Sequence, residues 1–183
     1  MPGHAKTHLR EIVFGLEDGL VSTLGAISGI AAATHDKTLV LVSALIVVLV
    51  ESISMAAGTY ISDKTEIEQN RQRRLGFLSL FAFLRPHPSQ TYFAIEGAMA
   101  MGAAYLIGGL ISASSYIFLP VNLALISSLF LTSFSLFVIG YSKAVITQVP
   151  RIRSGLETMF ISLVAAAVGL LIGNLGAYAS RRF

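Results

Sequence analysis

One stretch of this chain carries no charged side chain for 46 residues, from Gly97 to Ser142. A membrane-spanning helix needs about 20 mostly apolar residues, because each residue adds about 1.5 Å across a hydrocarbon core of ~30 Å. The stretch is therefore long enough for two spanning helices. The segment Leu119-Pro120-Val121-Asn122 near its middle predicts the turn between them.

Composition also indicates a membrane protein. The 183 residues are 54% hydrophobic and 13% charged, whereas a soluble domain usually carries about 25% charged residues. A chain this short cannot bury so much apolar surface in one water-facing core. The net charge of +3 is spread over short clusters between uncharged runs, which is typical of loops that flank membrane spans and not of a nucleic-acid surface. The chain has no cysteine, which excludes disulfides, thiolate metal sites and cysteine nucleophiles.

The sequence predicts an all-α membrane protein with five transmembrane helices in a single domain, residues 1–183. The predicted spans are 12–34, 38–62, 92–118, 121–142 and 156–180. Residues 63–90 are predicted to be a cytoplasmic helical segment that continues the second span. Within it, the apolar run from Phe77 to Leu84 is too short to cross and is expected at the interface. The N-terminus lacks the form of a cleavable signal, so the first span is expected to be retained.

The basic residues predict the orientation of these spans. Of the 13 Lys and Arg residues, 10 fall on the side that holds the N-terminus and 3 on the other side. Because Lys and Arg accumulate on the cytoplasmic side, the N-terminus is predicted to be cytoplasmic and the C-terminus outside.

Glu51 lies near the middle of the second predicted span. An acidic side chain at the bilayer centre costs about 2.5 kcal/mol or more, so it indicates a functional site. Met55 and Thr59 follow at helical spacing and share its face. A thioether beside a carboxylate favours a softer transition metal, whereas oxygen ligands alone would suit Mg²⁺ or Ca²⁺. The alternative is that Glu51 pairs with a basic group and Met55 only fills space.

Asp18 and Glu17 are acidic residues of the first predicted span. Asp18 lies about two turns into that span and therefore needs a partner, a water pocket or a ligand. Its neighbours Gly15 and Gly19 are four residues apart and allow another backbone to come close. Glu17 lies about 100° round the helix from Asp18, so the two cannot reach the same target. The alternative for both is a solvated helix end.

Glu96 and Glu157 begin the third and fifth spans, near the predicted cytoplasmic interface. Each is either a solvated side chain or part of a cytoplasmic mouth of the ion path, and Asn174 is expected to be an interhelical hydrogen-bonding residue. The candidate metal ligands are Asp18, Glu51, Met55, Glu17 and Glu96.

Two further spacings are weaker signals. His4, His8 and Glu11 could hold a metal on one helix face, but such a spacing in a terminal segment arises easily by chance. Small-xxx-small pairs in the first and fifth spans predict close helix packing and an assembly held by these two spans. The pairs are Gly25 with Gly29 and Gly169 with Gly173.

The stretch from Arg10 to Ser28 resembles the first span of vacuolar iron transporters. The Gly-x-x-Asp-Gly-Leu-Val core of that family is here Gly15, Asp18, Gly19, Leu20 and Val21. Its second-span pattern, Ser-Met-x-x-Gly-x-Tyr/Phe-x-Ser, is here Ser54, Met55, Gly58, Tyr60 and Ser62. The resemblance extends less sharply to the last span, in 153–156 and 169–176.

This resemblance implies a five-helix protomer that forms a homodimer, with the ion path near the dimer interface. It implies proton-coupled export of Fe²⁺, or of Mn²⁺, from the cytosol, with Asp18 and Met55 as transport residues. Two departures concern metal identity and regulation. Many members have Glu where this chain has Thr59, and many insert a glutamate-rich cytoplasmic domain where this chain has only Asp63 to Gln90.

Two alternatives compete with a proton-coupled antiporter. One is a passive channel, or a carrier for another divalent cation, on the same scaffold. The other is a structural membrane subunit, which the mid-span Glu51 disfavours. The sequence has no phosphate-cradling loop, catalytic triad pattern or nucleic-acid motif, so neither an enzyme nor a nucleic-acid partner is expected. No permanently bound cofactor is expected. The predicted location is a lipid bilayer, the cell membrane if the organism is prokaryotic.

Overall fold

The structure is a computed structural model that describes residues 4–75 and 88–180. These residues form five α-helices, and no strand occurs among them. The helices are α1 (His4–Thr34), α2 (Lys37–Leu75), α3 (Pro88–Phe118), α4 (Val121–Thr147) and α5 (Arg151–Ser180). Each is long and apolar enough to cross a membrane. The prediction of an all-α protein with five spans is confirmed.

The turns between the helices follow from local sequence. Asp36 precedes α2, and its Oδ1 accepts hydrogen bonds from the backbone N–H groups of Thr38 and Leu39, as an N-cap residue does. His35, just before it, takes the left-handed conformation with φ 52°. Pro120 caps the start of α4 with extended backbone. Turns this short make consecutive helices antiparallel neighbours.

The second helix is longer than a bilayer requires. Its 39 residues extend about 58 Å at 1.5 Å per residue, against a hydrocarbon core of ~30 Å. Part of α2 therefore projects beyond the hydrocarbon core at its C-terminal end, on the side predicted to be cytoplasmic. The predicted interfacial run from Phe77 to Leu84 lies outside the described residues.

Helix α1 is the centre of the bundle and contacts each of the other four helices. Its most extensive contacts are with α3 and α5, to which it is parallel, while α2 packs on α3 and α4 packs on α5. Glycines make these approaches close. A Cβ atom at Gly19 would overlap the backbone of Tyr105 on α3, and one at Gly29 would lie 2.8 Å from the carbonyl oxygen of Gly169 on α5. The small-xxx-small glycines of the first and fifth spans thus meet within one chain.

The outer surface of the bundle is apolar. Phe130 on α4, Ile53 on α2 and Leu171 on α5 are each more than half exposed. Their exposure to lipid explains how a chain with this composition folds without burying them. The polar side chains of the described residues concentrate in the interior and at the helix ends, and this distribution positions the site.

Candidate functional site

Glu51 of α2 lies in the interior of the bundle, where two hydroxyl groups from other helices bind its carboxylate. Ser22 of α1 donates a hydrogen bond to Glu51 Oε2 at 3.1 Å, and Tyr105 of α3 donates another to the same oxygen. The two hydroxyl oxygens also lie close to each other, and either hydroxyl could donate to the other in place of Glu51. No basic side chain within residues 4–75 and 88–180 forms an ion pair with Glu51. Neutral donors therefore hold this carboxylate.

The geometry of this triad depends on close packing of α1, α2 and α3. Tyr105 is fully buried, and its backbone lies directly against Gly19, so that its ring enters the space between the helices. Gly102, almost one turn earlier on α3, faces the backbone of Ser52 on α2. Larger residues at either glycine would separate the helices and move the three hydroxyl and carboxyl groups out of hydrogen-bond distance.

Asp18 lies one turn before Ser22 on the same side of α1. It is partly buried and close enough to Glu51 for the two carboxylates to repel each other. The structure thus brings together two of the predicted acidic site residues, from two different helices. A cation between them would relieve the repulsion, because an opposite charge favours the ionised form of each acid.

A cavity of about 1000 Å³ opens towards the predicted cytoplasmic side, among α1, α2 and α4. Met55, one turn from Glu51, lines its inner part together with Met101 of α3. Thr59, the position at which many members of the similar family have Glu, lines the cavity one turn further out. Six charged side chains also line it. They are Arg10, Glu11, Glu17, Asp63, Glu66 and Lys143.

Glu17 forms an ion pair across this cavity with Lys143 of α4, with Lys143 Nζ 3.2 Å from Glu17 Oε1. The predicted fourth span ends at Ser142, which places Lys143 in the following loop, but α4 continues to Thr147 and carries the lysine within the helix. Glu17 and Asp18 occupy different environments, as their angular separation predicts. Glu17 faces the cavity, and Asp18 faces the interior near Glu51.

One carboxylate at the cavity has an unsatisfied oxygen. Glu11 Oε2 is buried and has no hydrogen-bond partner in the described part of the chain. Buried polar atoms are nearly always paired with protein, water or an ion. Asp63, on α2, lies close enough to Glu11 for electrostatic repulsion. The outer part of the cavity, where carboxylates outnumber basic side chains, therefore carries net negative charge.

The remaining candidates lie away from Glu51. Glu96 is 68% exposed and pairs with His8, with His8 Nε2 3.5 Å from Glu96 Oε2, and it does not line the cavity. Glu157 is exposed and pairs with Arg153 at 2.9 Å. Asn174 is exposed on α5. The side chain of His4 lies outside the described part of the structure.

The acidic side chains are distributed along α1 and α2 and do not form one compact cluster. Within the described ranges, no three His, Cys, Asp or Glu side chains are close enough together to hold a metal ion. Instead, they and Met55 are arranged along a path from the cavity into the bundle. The cavity carboxylates come first on this path, Met55 comes next, and Glu51 and Asp18 lie deepest.

Sequence reasoning missed three residues that contact the predicted acids: Ser22, Tyr105 and Lys143. Tyr105 differed from the other five tyrosines only in lying in the middle of a predicted span, and that position was the available signal. Lys143 lies just beyond the end of the fourth predicted span and was therefore predicted to lie in a loop. The long apolar run before it is equally compatible with a helix that continues past this residue. None of these contacts could be predicted, because one sequence does not fix how helices rotate against each other.

Comparison with known proteins agrees with the motifs of the first two spans. The model of the VIT family matches residues 9–76 and 76–174, which is nearly the whole chain. The chain is similar to "Vacuolar iron transporter 1" of Arabidopsis thaliana, with 24% identity over 91% of this chain and 85% of the relative.

Two further relatives show the same extent of similarity. "Vacuolar iron transporter 1" of Tulipa gesneriana is 25% identical over 87% of this chain and 83% of its own length. "Vacuolar iron transporter homolog 2" of Arabidopsis thaliana is 29% identical over 92% of this chain and 86% of its own length. The similarity therefore covers the whole five-helix domain and both motifs.

Proposed function

The chain belongs to the VIT family, a transporter family of multi-pass membrane proteins, and on this premise we propose that it exports Fe²⁺ or Mn²⁺ from the cytosol in exchange for protons. The named relatives are vacuolar iron transporters, which supports iron as the substrate. Proton coupling, the direction of transport and the use of Mn²⁺ are the parts of the proposal that rest on the site.

The observation that carries the proposal is the environment of Glu51. This carboxylate lies within a membrane span, and the described residues offer it two hydroxyl donors and no basic partner. An ionised acid in such a position is costly unless a cation or a proton neutralises it. Glu51 is therefore suited to hold a metal ion in one step and a proton in another.

The cytoplasmic cavity supports uptake from the cytosol. Its four carboxylates outnumber its two basic side chains, and a cleft with net negative charge raises the local concentration of cations. Met55 supplies a thioether between the cavity and Glu51. A sulfur ligand favours Fe²⁺ over Mg²⁺ and Ca²⁺, which prefer oxygen alone. Asp18 provides a second carboxylate at the depth of Glu51.

The hydroxyls of Ser22 and Tyr105 suit the exchange of a metal ion for a proton. Each can donate to the ionised carboxylate, and a Ser hydroxyl can also accept from a protonated one by rotating. The Glu51 side chain thus keeps hydrogen-bond partners in both states. We further propose that two copies form a homodimer with α1 near the two-fold axis, so that the ion path lies near the interface.

The test is transport into proteoliposomes with an imposed pH gradient, with Fe²⁺, Mn²⁺, Zn²⁺ and Ca²⁺ compared side by side. The wild-type protein should move Fe²⁺ and Mn²⁺ with a counterflow of protons. Glu51→Gln keeps the shape but removes the charge and the proton acceptor, so both fluxes should fall to background. Met55→Leu should mainly lower the preference for Fe²⁺ over Ca²⁺.

Glu157→Gln is the matched control, because Glu157 is exposed and pairs only with Arg153 on its own helix. Its transport rates should equal those of the wild type. Metal flux that does not depend on the pH gradient would support the alternative that the protein is a passive channel. Normal, proton-coupled transport by Glu51→Gln would show that this carboxylate is a packing feature, and the site assignment would be wrong.

A further inference from the structure

Two basic side chains line the cavity, Arg10 and Lys143. Of these, Lys143 forms an ion pair within the described part of the structure. Its Nζ lies 3.2 Å from Oε1 of Glu17, a residue 126 positions earlier in the sequence. The Lys143 side chain is 42% exposed and that of Glu17 21% exposed. Solvent therefore reaches the pair from the cavity, and an ion in the cavity can reach it too.

The charges that line the cavity fit one divalent cation. Four carboxylates and two basic side chains give a formal charge of −2. Arg10 is exposed, near enough to Asp63 to interact with it, whereas Lys143 is paired with Glu17. Without Lys143 the formal charge would be −3, and the Glu17 carboxylate would have no fixed counter-ion.

We propose that Lys143 is an internal counter-ion that sets the affinity of the cavity for its cation, because an incoming cation must displace its ammonium group from Glu17. This inference rests on the proposed function, in which the cavity receives a divalent metal ion. It assigns the lysine to the control of ion affinity: Lys143 acts on the ion through Glu17 and through its own charge and does not ligate the ion itself.

The weaker binding follows from Coulomb's law. An incoming cation must offset the attraction between the ammonium group and Glu17 that it disrupts, and a divalent ion is attracted to the carboxylate about twice as strongly as the ammonium at the same distance. The ammonium also repels a bound ion. Transport requires binding that is favourable enough for uptake and weak enough for release. A resident lysine therefore limits how tightly the cavity holds its ion.

A purely structural role makes a different prediction. The ion pair connects α1 to α4, which also contact each other elsewhere. If it served only to hold these helices together, removing the lysine would lower thermal stability and leave metal affinity unchanged or weaker. A counter-ion role predicts tighter binding on removal of the lysine, which loss of a structural tie does not produce.

The experiment measures Mn²⁺ binding to the purified full-length protein by electron paramagnetic resonance at constant ionic strength. Lys143→Met should bind Mn²⁺ about tenfold more tightly, which is the repulsion expected between a unit charge and a dication about 6 Å apart in a water-like dielectric. Lys143→Arg keeps the charge and should resemble the wild type.

Two further variants control the result. Lys64→Met removes one positive charge from an exposed position of α2 outside the cavity lining, and its Mn²⁺ affinity should not change. Glu17→Gln should weaken binding, and adding Lys143→Met to it should restore less than the full tenfold gain. If Lys143→Met does not fold, Lys143→Gln should show the same tightening.

Unchanged or weaker Mn²⁺ binding by folded Lys143→Met and Lys143→Gln would overturn the proposal. Its failure is separable from failure of the proposed function, which the proteoliposome assay measures independently. Wild-type transport with no affinity change in the variants would refute the counter-ion role alone. Tighter binding in the variants without wild-type transport would support the counter-ion and refute the transport function.

Discussion

At the scale of single residues, Glu51 and its two hydroxyl donors form the part of the molecule on which the proposed chemistry depends. A partly buried carboxylate with neutral donors, such as Glu51, keeps its charge available for a cation, whereas a salt bridge would neutralise it. Lys143 forms such a salt bridge with Glu17, nearer the side predicted to be cytoplasmic. The two acids thus differ in environment, because Glu17 has a basic partner and Glu51 has hydroxyl donors.

Two buried tyrosines on α3, Tyr105 and Tyr116, allow the contribution of the Tyr105 hydroxyl to stability and transport to be measured. Tyr105→Phe removes a donor from Glu51, so it should destabilise the protein by about 1 kcal/mol and slow metal transport. Tyr116 is as deeply buried, but its hydroxyl has no hydrogen-bond partner in the described part of the chain. Tyr116→Phe should therefore leave stability unchanged or raise it. Thermal unfolding in detergent and initial transport rates measure both effects, and equal behaviour of the two variants would contradict the role of Tyr105.

The sequence predicted the acids better than their partners. Glu51, Asp18 and Met55 were recognisable because an acid within an apolar span is costly and a thioether one turn away shares its face. The mid-span position of Tyr105 was a weaker signal, because an apolar helix accommodates a tyrosine more easily than an acid. Its contact with Glu51 depends on the rotation of α3 against α2, which tertiary packing determines.

At the scale of helices, glycine contacts determine how closely α1 approaches its neighbours. A Cβ atom at Gly169 on α5 would overlap the carbonyl oxygen of Gly25 on α1. Gly169→Ala should therefore force the two helices apart and destabilise the protein by about 1–3 kcal/mol, the usual cost of overpacking. Gly176→Ala on the same helix is the control, because a Cβ atom there would meet nothing within 4 Å.

Unfolding midpoints in detergent, compared between the two variants, decide this prediction. Gly176→Ala should be neutral or slightly stabilising, since alanine favours a helix more than glycine does. If Gly169→Ala is as stable as Gly176→Ala, then α1 and α5 do not pack as closely as described. The small-xxx-small spacing indicated this contact, but whether the glycines meet within one chain or between two could not be read from the sequence.

At the scale of the whole molecule, five spans place the two termini on opposite sides of the membrane. The number of spans was predictable because uncharged runs of sufficient length are rare outside membranes. The orientation remains a prediction from the 10-to-3 distribution of Lys and Arg. A reporter fused to the N-terminus should be protected inside intact cells, and one at the C-terminus should be accessible outside. Two accessible or two protected reporters would contradict the topology.

Dimerisation is the last property at this scale, and the chain is well suited to test it because it has no cysteine. An open groove of about 640 Å³ runs between α1 and α5, lined mainly by small apolar residues. Such a surface allows the close approach that drives helix association in lipid. Ala26→Cys places one thiol on α1 in this groove, and oxidation in native membranes should yield a disulfide-linked dimer, since two α-carbons must come within about 7 Å.

Phe130→Cys is the matched control, because Phe130 is 75% exposed on α4, away from the groove. If α1 lies near the two-fold axis, only the Ala26→Cys protein should migrate as a dimer without reducing agent. Cross-linking from Phe130→Cys alone would move the interface to α4 and separate it from Asp18 and Glu51. The ion path would then belong to each protomer by itself, and one copy would suffice for transport.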